Sequence, residues 1–235
     1  MGLINLAHGS LYMLGAFLCA SAISASGSFL LGIGAAIAGA AVAGLVIEGL
    51  VMRHLYARGH LDQVLATFGL ILFFNEAVRL VWGPRPLFID IPAALGGTVE
   101  LLPDAPYPVY RLAIIVTGIA VAGGLWWLVQ RTRLGMLIRA GAADREMLGA
   151  LGIDTRHLYA GVFALGALLA GLAGALAGPL FAVQVGMGEN ILILTFVVIV
   201  IGGIGSIRGA IAGSLLVGLV DTLGRAYLPT VLRLV

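Results

Sequence analysis

The sequence predicts an all-α polytopic membrane protein with about seven hydrophobic helices. Of its 235 residues, 61% are apolar and only 10% are charged, and the mean hydropathy is +1.11. A soluble domain carries about 25% charged residues. The apolar residues form runs of roughly the 20 residues that a helix needs to cross a bilayer, and they show no period-two alternation of a membrane barrel. The whole chain, 1–235, is expected to form a single transmembrane domain.

Seven apolar segments are each predicted to be a helix, because a helix satisfies its own backbone in lipid. They are 10–26, 29–52, 63–82, 110–130, 158–183, 190–203 and 209–228. Segment 190–203 is short for a full crossing, so a re-entrant helix is a second interpretation. Between the third and fourth segments, 83–108 holds six prolines, which prevent a continuous helix. We interpret 83–108 as an outer connector, with a docking surface for a soluble binding protein as the alternative.

A polar island, 131–157, interrupts the apolar sequence between the fourth and fifth helices. It contains five arginines and three acids. Within it, 142–151 is predicted to be a short helix that begins with charge and presents Met147, Leu148 and Leu151 as one apolar side. Gly152 fits the position just after a helix end, and Asp154 is expected to cap the next helix. A short folded element between two spanning helices is suited to docking a soluble partner, and a solvated surface loop is the plainer interpretation.

The arginines orient the chain, because cytoplasmic loops are enriched in positive charge. If the polar island is cytoplasmic, alternation of the helices places Arg53, Arg58 and Arg208 on the same side. Five arginines then lie outside: Arg79, Arg85, Arg111, Arg225 and Arg233. A re-entrant 190–203 segment would instead move the last two inside.

Small residues recur every fourth position and therefore share one helix face. The rows are Gly32, Ala36, Ala40 and Gly44; Gly166, Ala170, Gly174 and Gly178; and Gly205, Gly209 and Gly213. Such rows let helix backbones approach closely in lipid. The first row continues to Glu48, which is therefore expected to face the bundle.

Several polar residues inside or beside the apolar segments are candidates for a translocation path, since polar groups in the membrane are expensive to keep. Glu48 is either a path residue or a helix-end acid near Arg53. Asn75 and Glu76 are path candidates, although Glu76 can equally form a structural pair with Arg79 three residues later. Gln184 and Glu189 flank a glycine-containing turn, and Gln184 is a weaker path candidate there, because a simple loop is the favoured interpretation of this turn. Asp221 and Arg225, four residues apart, are expected to form a structural pair.

Other classes of function find little support. His54, His60 and Asp62 match no strong metal-ligand spacing, so no metal and no cofactor are expected. No nucleophile elbow, catalytic triad or phosphate loop can be assembled, and the chain has no lysine. Nucleic acid is not an expected partner, because no basic stripe with aromatic residues is present. Cys19 lies in an apolar run and is interpreted as a buried core residue.

Three sequence blocks resemble the H-type permease subunits of branched-chain amino-acid ABC importers. They are GLINLAHGSLYMLGAF at the start, AADREMLGALGID followed by FALGALLAGLAGALAGPL, and FVVIVIGGIGSIRGAIAGSLLVGLVDTL. The resemblance implies a multi-pass protein of the bacterial inner membrane. Its expected partners are membrane lipid, a second, M-type permease subunit, two cytoplasmic ABC ATPases and a periplasmic substrate-binding protein.

The resemblance also assigns roles to residues. The ATPase-coupling residues would be Arg139, Ala143, Asp144, Glu146, Leu148, Gly152 and Asp154, and Asn5 and His8 of the opening motif join the path candidates. ATP hydrolysis would belong to the partner chains, so the chain itself is not expected to be an enzyme. Family members usually have a further hydrophobic helix at each end, and both are expected to be missing here. The alternatives are a permease for urea or short amides, an integral-membrane enzyme that uses Glu48 or Glu76, and a purely structural subunit.

Overall fold

The structure is a computed structural model that describes residues 5–56, 58–102, 105–203 and 205–227. Its α-helices are α1 His8–Ser26, α2 Phe29–Ile47, α3 Arg53–Leu55, α4 His60–Trp82, α5 Val109–Arg131, α6 Arg133–Ala143, α7 Arg145–Ala150, α8 Thr155–Ala177, α9 Met187–Gly202 and α10 Ile207–Tyr227. A π-helical turn, Glu48–Met52, joins α2 to α3, so that Phe29–Leu55 is one long helix. Six of the described helices are long and apolar enough to cross a membrane, and α9 is shorter. The predicted all-α polytopic fold is confirmed.

The core of the bundle is formed by α1, α2 and α8, which pack on one another through small residues. All four members of the first predicted row, Gly32, Ala36, Ala40 and Gly44, are buried. A Cβ added at Gly171 would lie 2.5 Å from the Cβ of Ala40. These three helices therefore approach to backbone contact, which is how helices associate where lipid removes the hydrophobic driving force.

Two helices begin part-way along the bundle. Gly166 packs against the His8 ring at the start of α1. Gly166 lies 11 residues after Thr155, the first residue of α8, which corresponds to about 16 Å along the helix axis. The first turn of α9 meets the same place, because Gly188 contacts the backbone of Gly9. The N-termini of α1 and α9 thus meet at mid-height in the bundle.

At one end of the bundle, here called the outer end, the connecting segments pair with one another through backbone hydrogen bonds. The proline-rich connector contains a 3-10 turn, Ala93–Leu95, and an antiparallel hairpin of β1 (Thr98–Leu102) and β2 (Ala105–Pro108). Leu87 and Val183 exchange two backbone hydrogen bonds of 2.8 and 2.9 Å. The predicted helix 158–183 was wrong in its second boundary: α8 ends at Ala177, because Val183 pairs with the connector instead of continuing the helix.

The polar island and the α3–α4 connection lie together at the opposite, inner end. The rings of Tyr56 and Tyr159 are 5.6 Å apart, and Arg53 and Arg156 line one cavity. Both arginine-rich segments that were assigned to one side of the membrane therefore share one end of the bundle. The final helices α9 and α10 form an antiparallel hairpin in which Gly202 and Gly209 touch, so Arg208 and Arg225 occupy opposite ends of α10.

Candidate functional site

The polar island is a series of short helices, each of which begins at a capping residue. Thr132 is extended and its hydroxyl accepts a hydrogen bond from the Gly135 amide at 3.1 Å, which starts α6. Asp144 is also extended, and its carboxylate accepts a bond from the Met147 amide at 3.0 Å, which starts α7. Side-chain oxygens at these positions satisfy amides that have no partner within the helix. The island is therefore a folded element and not a loop.

The end of α7 is the turn that the sequence predicted. Gly152 has a φ of 78°, in the left-handed region, and the Ile153 amide donates to the Leu148 carbonyl at 3.3 Å. This is the six-to-one bond that closes a helix with a left-handed residue. Asp154 then caps α8 by accepting bonds from the amides of Arg156 and His157 at 2.9 and 3.3 Å. Both predicted capping roles are confirmed.

The predicted helix 142–151 was wrong in extent and in its apolar side. The chain leaves helical geometry at Asp144, because the carboxylate at that residue caps a new helix, so 142–143 belong to α6 and α7 spans only Arg145–Ala150. Leu148 is 4% exposed and turns into the bundle, whereas Met147 and Leu151 are 59% and 70% exposed. Leu148 therefore packs against the bundle, whereas Met147 and Leu151 form an exposed apolar patch. The side chain of Glu146 lies outside the described residues.

Three contacts fix the island to the membrane bundle. The Tyr159 hydroxyl of α8 donates to the Gly141 carbonyl of α6 at 3.1 Å. A Cβ at Gly141 would lie 3.2 Å from the Leu148 side chain, so Leu148 packs directly on α6. The Arg139 guanidinium donates to the Val129 carbonyl at the end of α5. These contacts link α6 and α7 to both α5 and α8.

The exposed side of the island carries charge as well as apolar surface. Ala143, Asp144, Gly152 and Asp154 are all exposed. The hydrogen bond from the imidazole of His157, at 2.6 Å, lowers the pKa of Asp154 below its ordinary value, and the two capped amides act in the same direction. Asp154 therefore stays ionised and keeps its cap throughout the physiological pH range.

A second feature, the apolar cavity, lies inside the membrane region between α1, α5, α8 and α9. Its volume is about 620 Å³ and most of its walls are aliphatic. It forms because α5 stands away from the bundle: of its residues only Tyr110 is buried, where its hydroxyl donates to the Leu176 carbonyl at 2.8 Å. Volumes of 300–1,000 Å³ with apolar walls and a few polar groups are typical of small-molecule sites.

Of the predicted path residues, His8 lines this cavity, whereas Asn5 does not line it and contacts the His8 ring instead. The Asn5 amide nitrogen is 2.8 Å from His8 Nδ1, and the ring of His8 meets Phe163 edge-on at 5.2 Å between centroids. Thr117 and Thr195 also line the cavity, but their hydroxyls donate to the carbonyls of their own helices. The structure thus brings together the opening motif, α8 and α9.

The other path candidates lie elsewhere. Glu48 is 4% exposed and lies in the π-helical turn, beside an inner cavity of about 280 Å³ that Arg53 and Arg156 also line. Asn75 donates to Glu189 at 2.6 Å, which links α4 to α9. Glu76 is exposed on α4 and pairs with Arg79 at 3.5 Å, as the sequence spacing predicted.

Gln184 is exposed in the outer connection, next to Gly186 with its φ of 88°. Glu189 was weighed together with Gln184 as a possible substrate contact, but its bond to Asn75 was not predicted. Its partner Asn75 is 114 positions away, so no local spacing pointed to the pair. The α6 helix and the apolar cavity were also not predicted from the sequence. The predicted pair of Asp221 with Arg225 involves a side chain, that of Arg225, outside the described residues.

Comparison with known proteins gives one consistent result. A family model described as the branched-chain amino acid transport system permease component matches residues 1–235. The high-affinity branched-chain amino acid transport permease protein BraD of Pseudomonas aeruginosa is 32% identical over 95% of this chain and 77% of its own length. The corresponding permease protein LivH of Escherichia coli K12 is 31% identical over 98% of this chain and 79% of its own length.

A relative that matches a shorter part of the chain is named for a different substrate. The fructose import permease protein FrcC of Rhizobium meliloti is 33% identical, over 40% of this chain and 28% of its own length. No solved structure matches the chain.

Proposed function

The chain belongs to the family of branched-chain amino acid transport permease components, and on that premise we propose that it is the membrane-spanning subunit of an ABC importer for branched-chain amino acids. It is a multi-pass protein of the bacterial inner membrane, since six helices within the described residues can span a bilayer and its relatives are transport permeases. Its transport would proceed by alternating access, with ATP hydrolysed by partner chains.

The observation that best supports this function is the build of the polar island. An ATPase that binds it would contact the exposed residues of α7 and its flanks, Met147 and Leu151 among them. Leu148, Gly141 and Tyr159 connect that surface to the bundle through packing and a hydrogen bond of 3.1 Å. A rigid element with one outward and one inward side passes a partner's movement to the helices, which a solvated loop does not.

The partners proposed are a second permease subunit of the M-type, two cytoplasmic ATPases and a soluble periplasmic binding protein. The exposed apolar length of α4, α5 and α10 is available to lipid or to the second permease. The hairpin β1–β2 and the paired Leu87–Val183 segment form the outer surface on which a binding protein would dock.

The substrate class follows from the apolar cavity together with the named substrates of the relatives. Aliphatic walls suit a branched hydrocarbon side chain and offer few partners for a sugar, whose hydroxyls would each need a hydrogen bond. Urea and short amides are the second candidate substrates, because the few polar groups at the His8 end of the cavity are neutral hydrogen-bonding groups of the kind that bind an amide.

Uptake experiments test the proposal directly. Cells that express the complete transport complex should accumulate radiolabelled L-leucine, L-isoleucine and L-valine in an ATP-dependent way. Deletion of the gene for this chain should abolish that uptake, and its return on a plasmid should restore it. Competition by excess urea or acetamide, but not by excess L-valine, would assign the complex to amides instead.

A further inference from the structure

His8 presents a single free hydrogen-bond donor at the cavity. The Ala7 amide donates to Asn5 Oδ1 at 3.0 Å, which fixes the orientation of the Asn5 side chain. The Asn5 amide nitrogen, which can only donate, therefore faces His8 Nδ1 at 2.8 Å. Since Nδ1 accepts that bond, a neutral imidazole must carry its proton on Nε2.

The surroundings of Nε2 leave that proton without a partner. A Cβ at Gly166 would lie only 2.7 Å from Nε2, so glycine makes the room that the ring needs. Among the described residues, no side chain or carbonyl accepts a hydrogen bond from Nε2. Nε2 is not among the buried side-chain atoms of the described residues that lack a partner, so it is accessible and an acceptor on a ligand in the cavity could reach it.

The helices around His8 favour a negative acceptor. The N-termini of α1 and α9 meet where Gly9 contacts Gly188. Neither helix has a side-chain cap; the Gly9 and Glu189 amides donate to the carbonyls of Leu6 and Gly186. The N-terminal end of a helix is the positive end of its dipole, which attracts anions. The nearest carboxylate in α9, Glu189, is bound by Asn75 of α4 and does not line the cavity.

We infer that His8 is a substrate-binding residue that recognises the carboxylate of an aliphatic amino acid through Nε2, while the apolar cavity takes the hydrocarbon side chain. This inference rests on the proposed function and specifies the atom, His8 Nε2, that hydrogen-bonds to the carboxylate of the substrate. Asn5 is a positioning residue, because it acts only by setting the imidazole tautomer.

The test uses the complex purified from its native membrane through a tag on this chain and placed in nanodiscs. Binding of tritiated L-leucine is competed with 4-methylpentanoate, which keeps the carboxylate but lacks the ammonium group, and with L-leucinamide, which lacks the carboxylate. The variants are His8→Leu, His8→Gln and Gly166→Ala. His60→Gln is the matched control, since His60 is exposed at the start of α4 and distant from the cavity.

For the wild type we expect 4-methylpentanoate to compete and L-leucinamide to compete at least tenfold less well. His8→Leu should weaken L-leucine and 4-methylpentanoate by about 10- to 100-fold, the usual effect of losing a hydrogen bond to a charged group, and should weaken L-leucinamide by only about 2- to 10-fold, because its carbonyl oxygen is an uncharged acceptor. His8→Gln should recover part of the affinity because its amide donates, and Gly166→Ala should resemble His8→Leu because it displaces the ring.

Two other results have separate meanings. If His8→Leu and Gly166→Ala both keep the wild-type preference for L-leucine over L-leucinamide, the inference is overturned while the proposed function stands. If the wild-type complex binds none of the three compounds, or prefers L-leucinamide, the proposed function fails and the inference fails with it. Nitrogen NMR of the imidazole provides a readout for Asn5: in Asn5→Ala, loss of the single Nε2–H tautomer is expected, and an unchanged spectrum would exclude the positioning role.

Discussion

Replacing Met147 and Leu151 together by serine should separate ATPase binding from permease folding. These side chains are 59% and 70% exposed, whereas Leu148 between them is 4% exposed. If the ATPase covers the outward pair, binding buries their remaining apolar surface. Leu148 is already covered by α6 and contributes to the fold instead.

The size of the effect follows from the exposed fractions. Complete burial of a Met or Leu side chain is worth about 1.5–3 kcal/mol, so the 59% and 70% still exposed are worth about 1–2 kcal/mol each. The double variant should therefore lose about 2–4 kcal/mol of binding, or roughly 30- to 700-fold in Kd. Its own stability should change by less than about 0.5 kcal/mol, as is usual for surface positions.

Two measurements check this prediction: recovery of ATPase on the tagged permease, and thermal unfolding of the permease in detergent. Leu148→Ala should show the opposite pattern, with a stability loss of about 2–5 kcal/mol from the cavity it creates. The control Leu134→Ser/Met136→Ser changes two residues that are 58% and 59% exposed on α6, before α7. Wild-type ATPase recovery by the Met147→Ser/Leu151→Ser variant would refute the reasoning.

Three further predictions concern the bundle and its caps. Gly171→Ala should lower the free energy of unfolding by about 1–3 kcal/mol, and with it the unfolding temperature, because the added Cβ would lie 2.5 Å from α2. Gly161→Ala is the control, since nothing lies near a Cβ there and its unfolding temperature should not fall. Equal unfolding temperatures for the two variants would contradict the packing. Alanine at Asn75 and at Glu189 should each destabilise, and a double-mutant cycle should give a coupling of about 1.5–3 kcal/mol for their 2.6 Å bond; strict additivity would mean that the bond contributes nothing. Because the imidazole contact lowers the pKa of Asp154, the stability that this carboxylate contributes should be complete at neutral pH and should be lost only as the pH falls below the ordinary aspartate pKa of about 3.9. Asp154→Ala should therefore be less stable than wild type at pH 7 and should converge with it only in solution more acidic than that; a gap that persists in strong acid would contradict the cap.

The helices were predictable because length and apolar composition alone determine what can cross a bilayer. The row from Gly32 to Gly44 was predictable for a similar reason, since period four defines one face of any helix. The end of α8 was not, because the pairing of Val183 with Leu87 joins segments far apart in the chain. A sequence pattern indicates local periodicity, but it does not indicate which distant segment will pair with a turn.

Within the candidate site, the caps were predictable and the facing of the side chains was not. Gly152 and Asp154 have local signatures, whereas the six residues of α7 are too few to show which side faces the bundle. Glu76–Arg79 was found from its spacing, but Asn75–Glu189 depends on how α4 and α9 pack. The cavity beside His8 arises because α5 stands off from the bundle, which no residue of α5 indicates by itself.

The measurement closest to the central claim is the accessibility of a cysteine placed at Ala143, an exposed position at the junction of α6 and α7, in a chain whose buried Cys19 is replaced by alanine. We expect a membrane-impermeant maleimide to label it in inverted vesicles and not in intact cells, and bound ATPase to protect it in the vesicles. Labelling from the outside of intact cells, or labelling that the ATPase leaves unchanged, would contradict a coupling role for the polar island at the cytoplasmic face.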